Sequence, residues 1–435
     1  MNKRILIFWI LSSLILSLII PISFGYTVKI EDVRLKSSIS SISSNILYVG
    51  GSGEGNYSSI RDAIDNATNG DTIFVFNGIY TEIIDIDKSL NIIGENRFDT
   101  IIDAEKKGTA VCISADSVLI SNFTICNTGI DSDYFNNADI VVYSSKNIIQ
   151  NLDCIDTNYG MLFENSDENI IINNYIDAYW DGISLDYSEN NLLRNNSMYG
   201  SGLLTNGKQD IDESNTVNDK PIYYYYNQNG LTIPEDAGQV ILVNCNNFIV
   251  ENLQISKTTL GISIFNSNYN IVRNNTVENN TDFGIILNNS NYNLIINNKI
   301  SGNPFGIALA AGGLATYKIN SNCKYNIISK NNITNNMGFG LGIVRSNYNT
   351  ISENNFINNG FNNNTVHTNI FRSKHNNFNS NFWDNWIGIK IPFIKRCPKF
   401  IPIFFRLSIV EPFKFINIPI GFDMDLRPVK TPYCI

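Results

Sequence analysis

The sequence predicts an all-β protein that folds as a right-handed parallel β-helix, a solenoid of coils of about 22 residues, with a capping helix at its N-terminal end. Three observations predict this fold. An Asn-rich segment repeats at a fixed interval, short apolar alternations of period two lie between the repeats, and one early segment has helical spacing. The composition is also uniform from about residue 46 to residue 385, as expected for a solenoid.

The repeat is a five-residue segment that starts and ends with Asn around an apolar stretch. It occurs at Asn147–Asn151, Asn169–Asn173, Asn191–Asn195, Asn270–Asn274, Asn293–Asn297 and, with one extra residue, Asn326–Asn331. Successive copies are 22 residues apart at Asn147 and Asn169, and 23 apart at Asn270 and Asn293. Coils stacked about 4.8 Å apart would align these side chains, so we expect ladders of hydrogen-bonded amides.

A glycine follows the first Asn of most copies by 13 or 14 residues and opens a short apolar alternation. These glycines are Gly160, Gly182, Gly261, Gly284, Gly306 and Gly340. Alternation places Ile, Leu and Val inside, and Asn and Gly tolerate the bends between strands, so each coil should hold about three strands. The aromatic residues that precede some of these glycines are expected in the core: Tyr159, Phe283, Phe305 and Phe339.

Four segments lie outside the regular coils. Residues 58–67 combine a Ser cap with helical apolar spacing and should cover the open edge of the first coil. Residues 207–240 are expected to leave one coil as a hairpin or long loop, with the run Tyr223–Tyr226 as its clamp or, alternatively, as a ligand platform. Residues 387–435 are rich in Pro and Phe and should cap the last coil, so the β-helix itself spans residues 46–386.

The N-terminus has the features of an export signal. A basic start precedes an apolar run from residue 5 to residue 24, and small residues near residue 25 permit cleavage. The same run is long enough to remain in a membrane. We therefore expect residues 1–25 to be a signal peptide or an anchor, residues 26–45 to form a Ser-rich linker, and the protein to be secreted or displayed at the cell surface.

Charge and composition argue against several partners. A net charge of -9 without clustered Lys and Arg argues against nucleic acid. The chain has two histidines, His367 and His375, and seven cysteines without a CxxC pair or metal-ligand spacing. We therefore expect most of the cysteines to be buried, no metal site and no cofactor, with calcium as the one ion that the acidic residues leave open. Membrane contact is expected only through the N-terminal segment.

Several motifs resemble known β-helix proteins. The opening of pectin-lyase-like proteins is matched by Asn56–Ile64, Gly70–Tyr80 and Lys88–Gly94. With the Asn coils, three further motifs most resemble archaeal surface proteins of the NosD-like family: Asn218–Tyr223, Pro234–Gly238 and Phe382–Trp386. The resemblance covers roughly residues 46–435 and implies an exported β-helix of the carbohydrate-binding and sugar-hydrolase repeat type. The family name carries a copper-maturation role from one branch, but this sequence has no soft Met, His and Cys cluster.

The best acidic cluster lies in two consecutive coils. Aligning Gly160 with Gly182 places Glu164 and Asp186 in one column, about 4.8 Å apart. Carboxylates at this spacing suit a retaining glycosidase or a calcium site, so this pair is the candidate catalytic pair. The candidate sugar-binding side chains are Asp177, Tyr179, Trp180 and Asp181. The structural alternative is a solvated turn edge.

These observations favour a carbohydrate-binding or adhesive protein of the cell envelope, with a polysaccharide or envelope glycan as partner. The residue sets typical of pectin methylesterases, polygalacturonases and pectate lyases are not found in the sequence, so catalysis is not the first expectation. One alternative is a polysaccharide hydrolase or lyase that uses Glu164 and Asp186. Another is a structural envelope protein without a ligand. The sequence leaves the oligomeric state open.

Overall fold

The computed structural model describes residues 44–129, 137–309, 322–360, 367–385, 399–408, 415–425, 428–429 and 431–435. Those residues contain 38 β-strands and one α-helix. Strands of successive coils pair in parallel, and the register advances by 22 residues where Ile148 pairs with Ile170 and by 23 where Ile271 pairs with Leu294. The parallel β-helix predicted from the repeat is therefore confirmed. The predicted signal peptide or anchor and the linker up to residue 43 lie outside the described residues.

Three groups of strands follow one another along the chain. The first group is β1 Ile46–Val49, β2 Thr72–Val75, β3 Gly78–Thr81, β4 Ile84–Ile86, β5 Asn91–Gly94, β6 Thr100–Asp103, β7 Val111–Ile113, β8 Leu119–Cys126, β9 Ala138–Val142, β10 Ile148–Glu164, β11 Ile170–Ile172 and β12 Tyr175–Asp186. Around the insertion are β13 Leu192–Arg194, β14 Ser197–Tyr199, β15 Leu203–Thr205, β16 Asp210–Ile211, β17 Thr216–Val217 and β18 Lys220–Tyr226.

The second set of coils contains β19 Gln239–Val243, β20 Ile249–Glu251, β21 Gln254–Ser256, β22 Leu260–Phe265, β23 Ile271–Arg273, β24 Thr276–Glu278, β25 Phe283–Asn288, β26 Leu294–Ile296, β27 Lys299–Ser301, β28 Phe305–Leu309, β29 Ile327–Ser329, β30 Asn332–Thr334, β31 Phe339–Val344, β32 Thr350–Ser352, β33 Asn355–Ile357, β34 Thr368–Phe371, β35 Asn377–Asn379, β36 Phe382–Trp383, β37 Lys399–Ser408 and β38 Phe415–Asp425. Three strands per coil build three parallel ladders here, as predicted. None of the helices in the described ranges combines the length and apolarity needed to span a membrane.

Buried asparagine side chains connect one coil to the next. The Asn169 Oδ1 atom accepts both the backbone N–H and the side-chain Nδ2–H of Asn147, at 2.9 Å each. The Asn191 Oδ1 atom likewise accepts the backbone N–H of Asn169 at 2.8 Å and its side-chain Nδ2–H at 3.0 Å. A fully buried carboxamide is stable only when its polar atoms are paired, and here each coil supplies the partner for the next. The predicted amide ladder is therefore present.

The ladder also corrects one feature of the repeat. In the segment that starts at Asn326, the Asn331 Oδ1 atom accepts the Nδ2–H of Asn298 at 3.0 Å, so Asn331 is equivalent to the residue after the repeat. Lys330 therefore occupies the last position of the repeat, with a φ of 55°. Asn297 occupies that position one coil earlier, with a φ of 56°. The expected extra residue was wrong, because a Lys replaces the left-handed Asn at the bend.

One short helix covers the first coil. Helix α1, Ile60–Asn66, starts after Ser59, whose side chain accepts the N–H of Asp62 at 3.0 Å. The Glu82 carboxylate accepts the N–H of Ile60 at 2.8 Å, so it satisfies a donor at the helix start that no helical carbonyl can reach. Ile60 and Ile64 are buried against the coils. The predicted capping helix is therefore confirmed.

The aromatic residues before the glycines are only partly core. Phe283 is buried, whereas Phe305 and Phe339 are half-buried, and Tyr159 aligns with Asp181 instead of an aromatic ring. A Cβ on Gly284 would meet the buried Ile300 side chain at 2.8 Å, so the glycine faces the interior. Neighbouring residues in a strand face opposite ways, which directs the preceding aromatic residue outward. The core expectation holds for Phe283, whereas Phe305, Phe339 and Tyr159 are partly buried side chains that pack against buried apolar clusters.

The insertion divides the solenoid into two sets of coils. Strand β17 pairs with β18 in antiparallel fashion, and β18 then pairs with β19 in parallel. The described residues show no strand pairing that connects β15 to the later coils; a side chain makes this connection. The buried Gln239 carboxamide accepts the N–H of Leu203 at 3.0 Å and donates to the Leu203 carbonyl at 2.7 Å. It therefore replaces the peptide group of a neighbouring strand.

A carboxylate closes the C-terminal end of one amide ladder. The buried Asp425 Oδ2 atom accepts the N–H of Asn381 at 2.9 Å and its Nδ2–H at 3.1 Å. The indole N–H of Trp383 donates to the same oxygen at 3.1 Å. Asp425 thus takes the acceptor role that the next asparagine would have. Parts of the predicted C-terminal cap, including residues 386–398, lie outside the described residues.

The amide ladder leads to a stability prediction at Asn298. Its Oδ1 atom accepts two hydrogen bonds from Asn275, and its Nδ2–H donates to Val272 and Asn331. Asn298→Ala leaves buried donors and acceptors unpaired, so we expect a loss of roughly 3 kcal/mol or more and a lower thermal unfolding temperature. Asn288→Ala is the control, because this half-buried side chain has no hydrogen bond among the described residues. Equal melting of both variants would contradict the role of the ladder.

Candidate functional site

A break in strand register displays two aromatic residues. Thr157 pairs with Ala178, and the next aligned pair is Tyr159 with Asp181. Between these pairs, Tyr179 and Trp180 together face a single residue of the preceding coil. This is a β-bulge, and bulges redirect side chains from the regular alternation of a strand. Tyr179 is 65% exposed and Trp180 is 39% exposed.

Neighbouring coils hold the bulge in place. The hydroxyl groups of Thr259 and Thr281 donate to the Trp180 carbonyl at 3.0 and 2.8 Å. The two aromatic rings meet edge to face, with centroids 4.9 Å apart. Both threonines belong to coils of the second set, so the bulge is fixed from beyond the insertion. The exposed rings are consequently attached to a rigid backbone.

A groove of about 740 Å³ runs beside the bulge. Its wall contains Tyr179, Asp177 and Asp156, with Lys106 and Thr281 at other points of the lining. The side chains of Asp177 and Asp156 are exposed, so their carboxylates can accept hydrogen bonds from a ligand. The groove thus combines an aromatic surface with polar acceptors.

Asp181 lies beneath this surface and is only 7% exposed. Burial, and then the Asp181 and Asp282 carboxylates, raise the pKa of Tyr159 to about 12. Burial and the Asp181 carboxylate raise the pKa of Asp282 well above its ordinary value, although part of Asp282 reaches solvent. Asp181 is therefore placed to support the bulge from below, whereas Asp177, Tyr179 and Trp180 face outward.

Glu164 and Asp186 are aligned, as the glycine alignment predicted. They are register partners at the ends of β10 and β12. Asp186 is 6% exposed, and burial followed by the Glu164 carboxylate raises the pKa of Asp186 to about 6. The next residue, Tyr187, lines a second groove of about 460 Å³. The acidic pair is therefore beside a different groove from that of Tyr179.

The tyrosine run of the insertion is part of a strand. Tyr223–Tyr226 belong to β18, and Tyr224 donates through its hydroxyl to the Gly207 carbonyl at 2.6 Å. The Tyr223 hydroxyl donates to Asp236 at 2.9 Å. Burial is the main cause that raises the pKa of Tyr223 to about 12. These contacts attach the insertion to the coils, and Tyr226 alone of the four lines the second groove.

The cysteines and histidines do not fit a copper site. In the part of the chain that the structure describes, no group of three or more His, Cys, Asp and Glu could hold a metal ion. The Cys245 thiol donates to backbone carbonyls at 3.3 Å, and the Cys323 thiol to another at 3.4 Å. His375 stacks on Tyr348, and His367 lies 2.7 Å from the Asp384 carboxylate. The potential soft ligands are thus dispersed.

Sequence reasoning missed an exposed column of tyrosines in the second set of coils. Each one directly precedes the first Asn of a repeat, and the column consists of Tyr269, Tyr292, Tyr325 and Tyr348. The signal was present in the segments Ser267–Asn270, Ser290–Asn293 and Ser346–Asn349, which share the sequence Ser-Asn-Tyr-Asn. A tyrosine at a fixed place in the period must form a column on the surface of the solenoid.

Comparison with known proteins gives one family and several distant structures. The family model described as "Periplasmic copper-binding protein (NosD)" matches residues 210–388. Pectin methylesterase from carrot is 13% identical with a TM-score of 0.32, over 78% of this chain and 84% of that one. The catalytic domain of a GH87 alpha-1,3-glucanase in complex with nigerose is 15% identical with a TM-score of 0.35, over 79% and 60%. No curated protein matches the chain.

The family match and the coil architecture agree. The matched residues begin in the insertion and continue through the second set of coils, where three parallel ladders surround a core of buried Ile, Leu and Val. The Asn repeat and the strand pairing extend the same architecture to the coils before residue 210. Residues 210–388 of this chain thus match the NosD family model, and the described coils on both sides of residue 210 form a parallel β-helix.

Proposed function

We propose that the chain is an envelope protein that binds a polysaccharide in the groove beside Tyr179 and Trp180. The observation that carries the proposal is the bulge, which places the exposed Tyr179 ring in the wall of a groove with exposed carboxylates and the exposed Trp180 ring against that of Tyr179. Aromatic faces pack against the C–H faces of sugars, while carboxylates accept hydrogen bonds from sugar hydroxyls. The periplasmic description of the NosD family supports a location outside the cytoplasm.

The wall of the groove carries side chains of both charges. It mixes Asp156 and Asp177 with Lys106, so neither sign of charge dominates. A neutral or weakly charged glycan suits this wall better than a polyanion. Export through the N-terminal segment, an archaeal source and adhesion to the envelope remain predictions, and the proposal includes neither a metal nor a cofactor.

Removal of the two rings tests this proposal. The double variant Tyr179→Ala/Trp180→Ala should be retained about ten-fold less than the native protein in gels that contain a polysaccharide which the native protein binds. Each lost aromatic contact is worth roughly 0.5–1.5 kcal/mol of binding free energy. Affinity electrophoresis of the purified chain across neutral and acidic polysaccharides measures this retention. Phe98→Ala is the matched control, because Phe98 is an aromatic residue that is 70% exposed elsewhere. Unchanged retention of the double variant would exclude the groove.

A hydrolase is the second candidate function, and the raised pKa of Asp186 favours it. A carboxyl group with a pKa of about 6 is partly protonated between pH 5 and pH 7 and can act as a general acid in that range, with Glu164 beside it as the second carboxylate. In this case the protein should shorten a polysaccharide, and Glu164→Gln or Asp186→Asn should abolish the shortening. Gel filtration of the polymer after incubation measures it. Retention without shortening supports binding alone. The absence of both retention and shortening supports a structural envelope role.

The pKa of Asp186 also predicts how stability depends on pH. The folded state raises this pKa from 3.8 to about 6, so ionisation of Asp186 lowers the free energy of unfolding. This loss is absent below pH 4 and complete above pH 7, where it is at most roughly 3 kcal/mol. Asp186→Asn removes this loss. The variant should therefore melt at a higher temperature than the native protein at pH 8, by a few degrees, and this difference should disappear near pH 4. A difference that is constant with pH would contradict the raised pKa.

A further inference from the structure

An exposed stack of aromatic rings follows the axis of the second set of coils. Tyr269, Tyr292, Tyr325, Tyr348 and His375 occupy one position of successive coils, and we call them the tyrosine stack. Their consecutive centroids are 5.1, 5.1, 5.5 and 5.2 Å apart. The planes of neighbouring rings differ by 9° to 16°. The four tyrosines are 46% to 55% exposed.

The backbone at this position does not favour aromatic residues. Each member of the tyrosine stack has a left-handed φ, from 56° at Tyr325 to 59° at Tyr269. Bulky residues are rare in this region, which Asn and Gly tolerate. The equivalent position in other coils holds Asn190 and Asn247, each with a φ of 58°. Lys146 and Glu168 hold the same position in two earlier coils, with φ of 63° and 58°, so the turn accepts several residue types and does not itself require an aromatic ring.

Each coil also presents polar groups without protein partners. The phenol hydroxyls of the tyrosine stack have no hydrogen-bond partner among the described residues. Beside the stack, the Oδ1 atoms of Asn268 and Asn291 each accept the backbone N–H of the next coil at 2.8 Å. Their Nδ2–H groups have no acceptor within the described ranges. One hydroxyl and one amide donor thus recur along the stack at the spacing of the coils.

Two cations lie beside the same column. Lys324 and Lys374 occupy the place of these asparagines in their coils, and neither forms an ion pair with any residue that the structure describes. Lys324 lines a recess of about 310 Å³ together with Tyr292 and Tyr325. The surface of the tyrosine stack is therefore aromatic, donor-rich and locally positive, although the whole chain is acidic.

We propose that the tyrosine stack is a second binding surface, for one extended polysaccharide chain that lies parallel to the solenoid axis. The rings repeat at about the length of one pyranose unit in an extended chain. Each successive sugar can therefore contact one ring edge, one phenol hydroxyl and one side-chain amide of the adjacent coil. A repeating surface binds a repeating ligand through the sum of weak contacts. This inference concerns a site separate from the groove and does not depend on the proposed function.

A single-stranded nucleic acid fits the tyrosine stack less well. Bases bind aromatic residues by stacking on open ring faces. In this stack each inner ring has neighbours on both faces about 5 Å away, which leaves no room for a base between them. The net charge of -9 also opposes a polyanion of high charge density. A polysaccharide needs only the exposed edges and hydroxyls.

The main test is the double variant Tyr292→Asn/Tyr325→Asn. Asn is the residue that this turn holds at Asn190 and Asn247, so we expect the thermal unfolding temperature to stay near that of the native protein. Affinity electrophoresis uses hydroxyethyl cellulose, xylan, a β-1,3-glucan and polygalacturonate. Loss of two ring contacts should reduce retention by about ten-fold. Tyr48→Asn is the matched control, because Tyr48 is 42% exposed and lies in β1, outside the tyrosine stack and the linings of both grooves.

The outcomes separate this surface from the groove. Retention that falls in the stack variant and persists in the Tyr179→Ala/Trp180→Ala variant supports the proposal. Retention lost only in the groove variant overturns it and leaves the groove in place. Failure of every polymer to retard the native chain overturns both. If polythymidylate binds and the stack variant loses that binding while no polysaccharide is retained, the surface serves a nucleic acid and the proposal is wrong.

A measurement on the native chain covers the case in which the stack variant does not fold. Nitration by tetranitromethane modifies exposed tyrosines, and mass spectrometry locates the modified residues. A saturating amount of the retained polysaccharide should protect the four stacked tyrosines together, at least several-fold, and should leave Tyr48 reactive. Disaccharides should protect less than tetrasaccharides, since a short chain spans fewer rings. Equal nitration with and without polymer overturns the proposal.

Discussion

The hydrogen bonds of the buried asparagine carboxamides are the interaction on which the rest of this structure depends. Each Oδ1 atom accepts two N–H groups from the preceding coil, as Asn169 does from Asn147. A coil shifted by one residue against its neighbour would leave several of these buried polar groups unpaired, at a cost of about 1–3 kcal/mol each. The ladders therefore fix the alignment of neighbouring coils, whereas the coil length varies: the Asn293 carboxamide bonds to Asn326 across 33 residues, and that of Asn349 bonds to Asn376 across 27. The apolar core alone would tolerate more slippage, because hydrophobic contacts have no preferred direction.

Fixed alignment has a direct effect on the outer surface. Because every turn is held in register, equivalent side chains form columns, and this places Glu164 beside Asp186 and stacks Tyr292 on Tyr325. The candidate binding groove arises where the alignment is relaxed. At the bulge, Tyr179 and Trp180 escape the regular alternation and reach solvent, while Thr259 and Thr281 fix their backbone. Regular coils thus supply repeated surfaces, and one local irregularity supplies a distinct surface.

The columns could be predicted from the sequence, because a period and an alternation determine them. The capping helix, the amide ladders and the alignment of Glu164 with Asp186 follow from such patterns. The bulge could not be predicted from the sequence. Its extra residue opposite Asn158 is compensated by a second register shift between Cys154 and Thr157, so the coil keeps its length of 22 residues. Asp181 was grouped with the sugar-binding candidates for the same reason. The outward direction of Phe305 was predictable in principle, because the interior position belongs to the adjacent glycine.

The connection at Gln239 has a consequence for folding cooperativity. In a solenoid, order passes from each coil to the next through neighbour contacts, so the stability of the whole depends on its weakest interface. Between β15 and the later coils, one carboxamide replaces a row of peptide hydrogen bonds. Other contacts cross the same boundary, because the Thr259 hydroxyl bonds to the Gly202 backbone and to the Trp180 carbonyl. One buried apolar cluster also contains Leu203 before the boundary and Ile241 after it. Order can therefore pass between the two sets through side chains where the row of peptide hydrogen bonds is interrupted.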